Sequence, residues 1–145
     1  MFDDYAKKLE KLGEDVPKIF KNVAKRGAIH ARNEAVNTTD RLGLVDTGAY
    51  RRDWNGTWTE TSKDTYAIIL QNGMEYASFL EDGHAIRGTG KRYPAQKVGA
   101  LALADTEGWA LLELENEIYV AMLAKKHGVS KSEIRKILNN ARYRI

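Results

Sequence analysis

Apolar residues fall three and four apart at both ends of this chain and two apart in its middle, so the pattern predicts helices flanking a hairpin. Phe2, Tyr5, Leu9 and Leu12 gather on one face of a first helix. Gly13 follows, and the pattern leaves open whether it ends that helix or bends it. Asp15 is placed to cap a second helix, with Pro17 in the first turn, where a missing N–H costs nothing. That helix carries Phe20, Val23, Ala24, Gly27, Ala28, Ala31 and Ala35, a stripe large at one end and small at the other. Small side chains allow close approach to a support, most simply a sheet. Residues 37–45 read as a loop.

Asp46-Thr47-Gly48 reads as a helix start, the Asp46 carboxylate accepting bonds from the first free N–H groups. The short helix would run through Tyr50, Arg51 and Arg52 to about Trp54. Trp54, Gly56 and Trp58 then alternate with polar residues. Tyr66, Ile68 and Leu70 share one face of a second strand, Thr65 to Gln71, after a turn at Ser62-Lys63-Asp64. The pair reads as an antiparallel hairpin, ended by Asn72-Gly73, a dipeptide that readily takes positive φ.

Tyr76, Phe79 and Leu80 return to helical spacing, closed by Gly83. From His84 to about Asp105 the periodicity weakens among Gly88, Gly90, Pro94 and Gly99, with Ala100-Leu101-Ala102-Leu103 expected as a short strand. A connection this long in a small domain is functional or disordered. Leu111, Leu114, Ile118 and Ala121 mark a last long helix over 109–126. Lys125, Lys126 and His127 complement its dipole, and Gly128 stops it. Ser130 and Glu133 form a capping box for a final helix whose apolar face is Ile134, Ile137, Leu138 and Ala141.

At 145 residues the chain suits one domain, a body over 1–126 and a basic helical tail over 127–145. A hydrophobic share of 43% against 30% charged residues is a globular balance, not a disordered one. No apolar run approaches the roughly 20 residues that cross a bilayer, so no membrane role is expected. The start Met1-Phe2-Asp3-Asp4 is acidic where an export signal is basic. The absence of cysteine removes disulfides, thiolate metal sites and a cysteine nucleophile together. The net charge of +3 hides an asymmetry. From Lys125 onward seven basic residues face the single acid Glu133, an excess larger than that of the whole chain, so the body is net acidic. Such a tail suits nucleic acid, an acidic partner, or plain solvation.

Chemistry finds little to converge on. His30, His84 and His127 are far apart and none has a His-x3-His partner. His30 reads as a half-buried helix residue. His84, after Glu81-Asp82-Gly83, leaves a metal-dependent hydrolase as a third reading, with a metal or general-base role for this nitrogen but no second nitrogen ligand nearby in sequence. Gly88-Thr89-Gly90-Lys91-Arg92 departs from the phosphate-loop pattern, with arginine at 92 and alanine at 85 where serine or threonine and glycine belong. No serine stands in a Gly-x-Ser-x-Gly context. The expectation is no catalytic site, no cofactor and no metal.

Three blocks carry a resemblance. Val45-Asp46-Thr47-Gly48-Ala49-Tyr50-Arg51-Arg52-Asp53-Trp54 resembles a signature of the neck and tail-completion proteins of long-tailed bacteriophages, also called head–tail joining or minor head proteins. Tyr76-Ala77-Ser78-Phe79-Leu80-Glu81-Asp82-Gly83-His84 is similar to that family's second block, and Gly108-Trp109-Ala110-Leu111-Leu112 to its third. Leu44 stands where the family usually has proline, Tyr50 replaces leucine, and the helix after Gly128 has no counterpart.

The resemblance implies a structural assembly protein in the virion, made in the host cytoplasm. Its copies form a ring with one another and meet neighbouring connector or tail proteins, with passive contact to DNA in the channel. The expected fold is α+β: an N-terminal helix and a long C-terminal helix on a small, mostly antiparallel sheet, with an extra short C-terminal helix. Asp46, Thr47, Gly48, Arg51, Arg52, Trp54, Tyr76, Phe79, Glu81, Gly83 and His84 hold this fold. Glu81 is the expected partner of one of the two arginines. Arg87, Lys91, Arg92 and Lys97 of an 84–108 loop, with Trp109 just after it, are the candidates for reaching a neighbour or lining the channel. The alternative is a small DNA-binding protein using Arg135, Lys136 and Arg142 on the last helix.

Overall fold

The computed structural model describes residues 7, 13, 15–44 and 48–142, Arg142 in its backbone alone. The expected first helix through Phe2, Tyr5, Leu9 and Leu12, and the cap at Asp46 with Thr47, lie outside the described residues. In chain order come α1 (Asp15–Arg41), α2 (Ala49–Arg52), β1 (Trp54–Ser62), β2 (Thr65–Asn72) and α3 (Ala77–Asp82). After them come β3 (His84–Ala85), β4 (Arg92–Tyr93), α4 (Val98–His127) and α5 (Lys131–Arg142). Both sheets are two-stranded and antiparallel, β1 with β2 and β3 with β4. The α+β class is therefore the observed one. The chain gathers into two compact units, residues 24–110 in one and residues 1–23 with 111–145 in the other.

In the larger unit the hairpin rests on the small-residue stripe of α1. The register pairs Gly56 with Leu70 and Trp58 with Ile68, so the apolar alternations of the two strands share a face, as expected. Ala24, Ala28, Ala31 and Ala35 are buried beneath. The approach is backbone-close: a Cβ on Gly56 would lie 2.0 Å from the Ala28 carbonyl oxygen. Arg32 Nε also donates to the Trp54 carbonyl at 3.1 Å. Ala35, Tyr50, Trp54, Val98 and Ala102 form the core, with Leu44, Leu70, Met74 and Leu80 packed around them.

Three expectations are corrected here. Residues 37–41 continue α1 instead of forming a loop. Thr39 is buried, its hydroxyl donating to the Ala35 carbonyl (2.7 Å) and accepting the Trp54 indole N–H (3.0 Å). A loop-like polar residue is thus satisfied within a helix. The stop comes later, where Gly43 takes φ 67° and the Leu44 and Gly43 amides bond the Thr39 and Asp40 carbonyls.

Residues 100–103 are not a strand but the first turns of α4, which starts at Val98 and not near 109. The Ala-Leu alternation is compatible with either period. Burial of Val98 and Ala102, four apart, decides for the helix. Finally, neither Asn72 nor Gly73 has positive φ. Asn72 Nδ2 donates to the Tyr50 carbonyl (2.7 Å), and the Gly73 amide to the Asp53 carboxylate (2.5 Å), so side chains redirect the chain.

In the smaller unit, Val120 and Ala124 of α4 and Ile134 of α5 form the core, with Leu123 and Leu138 against them. Gly128 stops α4 at φ 65°, and Ser130 Oγ accepts the Glu133 amide at 3.1 Å, capping α5. Ile137, expected on the apolar face, is instead exposed.

Candidate functional site

The residues singled out in the two central motifs converge in the larger unit around the start of α4. Gly48 enters α2 at φ 81°, a conformation that disfavours any side chain. A Cβ there would also lie 2.8 Å from Arg52 Nη1. Tyr50 is buried from α2, in edge contact with Trp54 (5.5 Å) and tilted against Tyr76 (5.9 Å). Arg51 Nε donates to the Asp40 carboxylate at 2.7 Å, which holds that carboxyl below its ordinary range.

Glu81 does not pair with either arginine. Its two carboxylate oxygens accept the Gly99 amide (2.6 Å) and the Ala100 amide (3.1 Å), the first free N–H groups of α4. The Gln96 and Lys97 amides bond the Leu80 and Glu81 carbonyls just before, so the end of α3 is stitched to the start of α4. Gly83 turns the chain at φ 74°, where a Cβ would lie 2.5 Å from the Tyr93 carbonyl oxygen.

The segment after Gly83 is shorter than the 84–108 loop expected. It ends at Lys97 and carries the β3–β4 ribbon, with His84 opposite Tyr93. The Ile86 amide bonds the Lys91 carbonyl at 2.8 Å, and Thr89 Oγ1 donates to the Ile86 carbonyl at 3.0 Å. His84 lies between Phe79 and Tyr93, at ring distances of 5.2 and 4.8 Å. Phe79 and Tyr93 are themselves more than half exposed. Arg87, Lys91, Arg92 and Lys97 are exposed around them. The result is an aromatic and basic surface at one edge of the unit.

Trp109 is not in that segment. It stands within α4, stacked on His30 of α1 at 4.6 Å and 13°, and the guanidinium of Arg26 lies 5.9 Å from its ring. His30 Nε2 is 2.8 Å from Asp105 Oδ2. This His30–Asp105–Trp109 arrangement escaped the sequence reading because 75 residues separate its two bonded partners.

Residues 3–83 match a family model described as "Bacteriophage HK97-gp10, putative tail-component". The fold thus belongs with the structural components of phage tails and head–tail junctions. The match takes in more than half of the chain, and the chain belongs to the HK97-gp10-like family. The match takes in the first block of the resemblance and all of the second but His84, and stops before the third. No curated protein and no solved structure matches significantly. Among the described residues, no helix is long and apolar enough to cross a membrane.

Proposed function

We propose that this chain is a non-enzymatic assembly protein of the phage neck, whose copies form a ring joining capsid to tail. The observation that carries this reading is the surface of α4. Its apolar residues are spread round the helix and not gathered on one face, the pattern of a helix covered on all sides. Yet Leu101 and Leu103 in the larger unit, and Leu111 and Leu112 in the smaller, are exposed, Leu112 at 63%. Exposed large apolar side chains on a helix patterned to be covered suit a surface that assembly covers. A ring requires two unlike surfaces meeting head to tail. The aromatic and basic edge at Phe79, Tyr93, Arg87, Lys91 and Arg92 supplies the second, or faces DNA in the channel.

The DNA-binding alternative has less support. Of its three cations, Arg135 is already paired with Glu117 at 2.8 Å. Electron microscopy of virions carrying a tagged copy tests the proposal. Label in a ring between capsid and tail is expected, and virions that complete their necks without the protein would refute it.

A further inference from the structure

We propose that His30, Glu34 and Asp105 form a binding site for one first-row divalent metal ion, Zn2+ being held most tightly of the ions commonly available. His30 and Glu34 stand four apart on α1 and so share a face of that helix, and Asp105 reaches them from α4. One ligand atom from each of the three lies within 4.8 Å of the others. Tetrahedral zinc with bonds of about 2.0–2.1 Å sets its ligand atoms about 3.3 Å apart. The present separations, 2.8 Å between His30 Nε2 and Asp105 Oδ2 and at most 4.8 Å elsewhere, bracket that value. Side-chain rotation of about an ångström converts the cluster into a three-ligand shell.

Two further features fit a cation. The His30 ring is held in orientation by its stack on Trp109, so little ordering remains to be done on binding. Glu34 and Asp105 bring two negative charges to one imidazole, whose single bond at Nε2 goes to Asp105. A divalent ion would neutralise both and leave a fourth position open on the side of Asp105, whose side chain is 56% exposed. One nitrogen and two carboxylates favour zinc, cobalt or nickel over magnesium and calcium, which prefer all-oxygen shells. The Arg26 guanidinium, 5.9 Å from the centre of the Trp109 ring, is a charge near the site that opposes a cation.

Isothermal titration of the full chain with Zn2+ tests the site, with Co2+ absorption reporting the geometry. One ion per chain is expected, with visible bands of a low-coordinate cobalt complex. Glu34→Gln and Asp105→Asn each remove a direct ligand and weaken binding by at least about 100-fold, more than the roughly 10–100-fold lost with an outer-shell partner. His84→Ala and His127→Ala leave it unchanged. Glu34→Gln keeps the His30–Asp105 bond and a similar volume, so its fold, checked by circular dichroism, separates lost ligation from lost structure. Zn2+ binding equally to wild type and Glu34→Gln, or failing to bind the wild type, would show that His30 and Asp105 are only a helix-to-helix hydrogen bond.

Discussion

The Glu81 carboxylate closes the N-terminus of a helix that begins 17 residues later, accepting the amides of Gly99 at 2.6 Å and Ala100 at 3.1 Å. A motif carboxylate thereby fixes where the long helix starts and ties α3 to it. Glu81→Ala removes both acceptors and should cost about 1–2 kcal/mol, the range for a lost helix cap. Glu81→Gln keeps one acceptor oxygen and should lose less. Urea denaturation of the three proteins orders them, and equal stability of Glu81→Ala and wild type would remove the capping role.

Gly56 and Gly27 are both spaces that keep the hairpin close to α1, and they should respond differently to a methyl group. The added Cβ meets the Ala28 backbone oxygen at 2.0 Å in one case, and the terminal Cδ1 of Ile68 at 2.3 Å in the other. Backbone cannot rotate away, so Gly56→Ala should cost about 3 kcal/mol, the upper end of overpacking. Gly27→Ala displaces a flexible side-chain tip and regains up to about 1 kcal/mol of helix propensity, so its net loss is small. Reversed order in denaturant midpoints would mean that the hairpin can slide on the helix.

Tyr50 makes stability depend on high pH. Burial of its ring, aided by the charges of Glu81 and Tyr76, pushes the phenol from 10.0 up to about 12. Above pH 10 the unfolded chain gives up this proton while the folded chain keeps it. Stability is therefore untouched below pH 10 and falls between pH 10 and about 12. The hydroxyl has no hydrogen-bond partner among the described residues. Tyr50→Phe should therefore fold at least as stably at pH 7, and the decline above pH 10 should shrink. Thermal melts from pH 7 to 11.5 compare the two, and superimposable slopes would assign the decline to other groups.

Leu112, 63% exposed on α4, tests the proposed assembly surface. Leu112→Asp should leave the monomer's melting temperature within a few degrees, because an exposed side chain contributes little to its fold. It should sharply reduce ring formation, measured by native mass spectrometry and by complementation of neckless particles. Rings formed normally by this variant would place the interface elsewhere.

The sequence alone determined elements whose residues are neighbours along the chain. The hairpin between Trp54 and Asn72, the stop at Gly83 and the Ser130 cap were legible because alternation, left-handed glycine and local side-chain bonds act within a few residues. The first two family blocks were legible for the same reason, and the matching family model covers them as far as Gly83. What depends on distant partners was decided only by tertiary structure. Thr38 and Thr39 read as loop residues, yet they are helical and buried. Trp54, fifteen residues on, supplies the indole N–H that the Thr39 hydroxyl accepts. Ala100 to Leu103 fit a strand or a helix equally until Val98 and Ala102 found a core and Glu81 capped the first turn. The meeting of His30 with Glu34, Asp105 and Trp109 had the faintest trace in the chain. An i, i+4 pair on α1 is visible in sequence, but the ligand and the ring that complete it arrive only when α4 folds alongside.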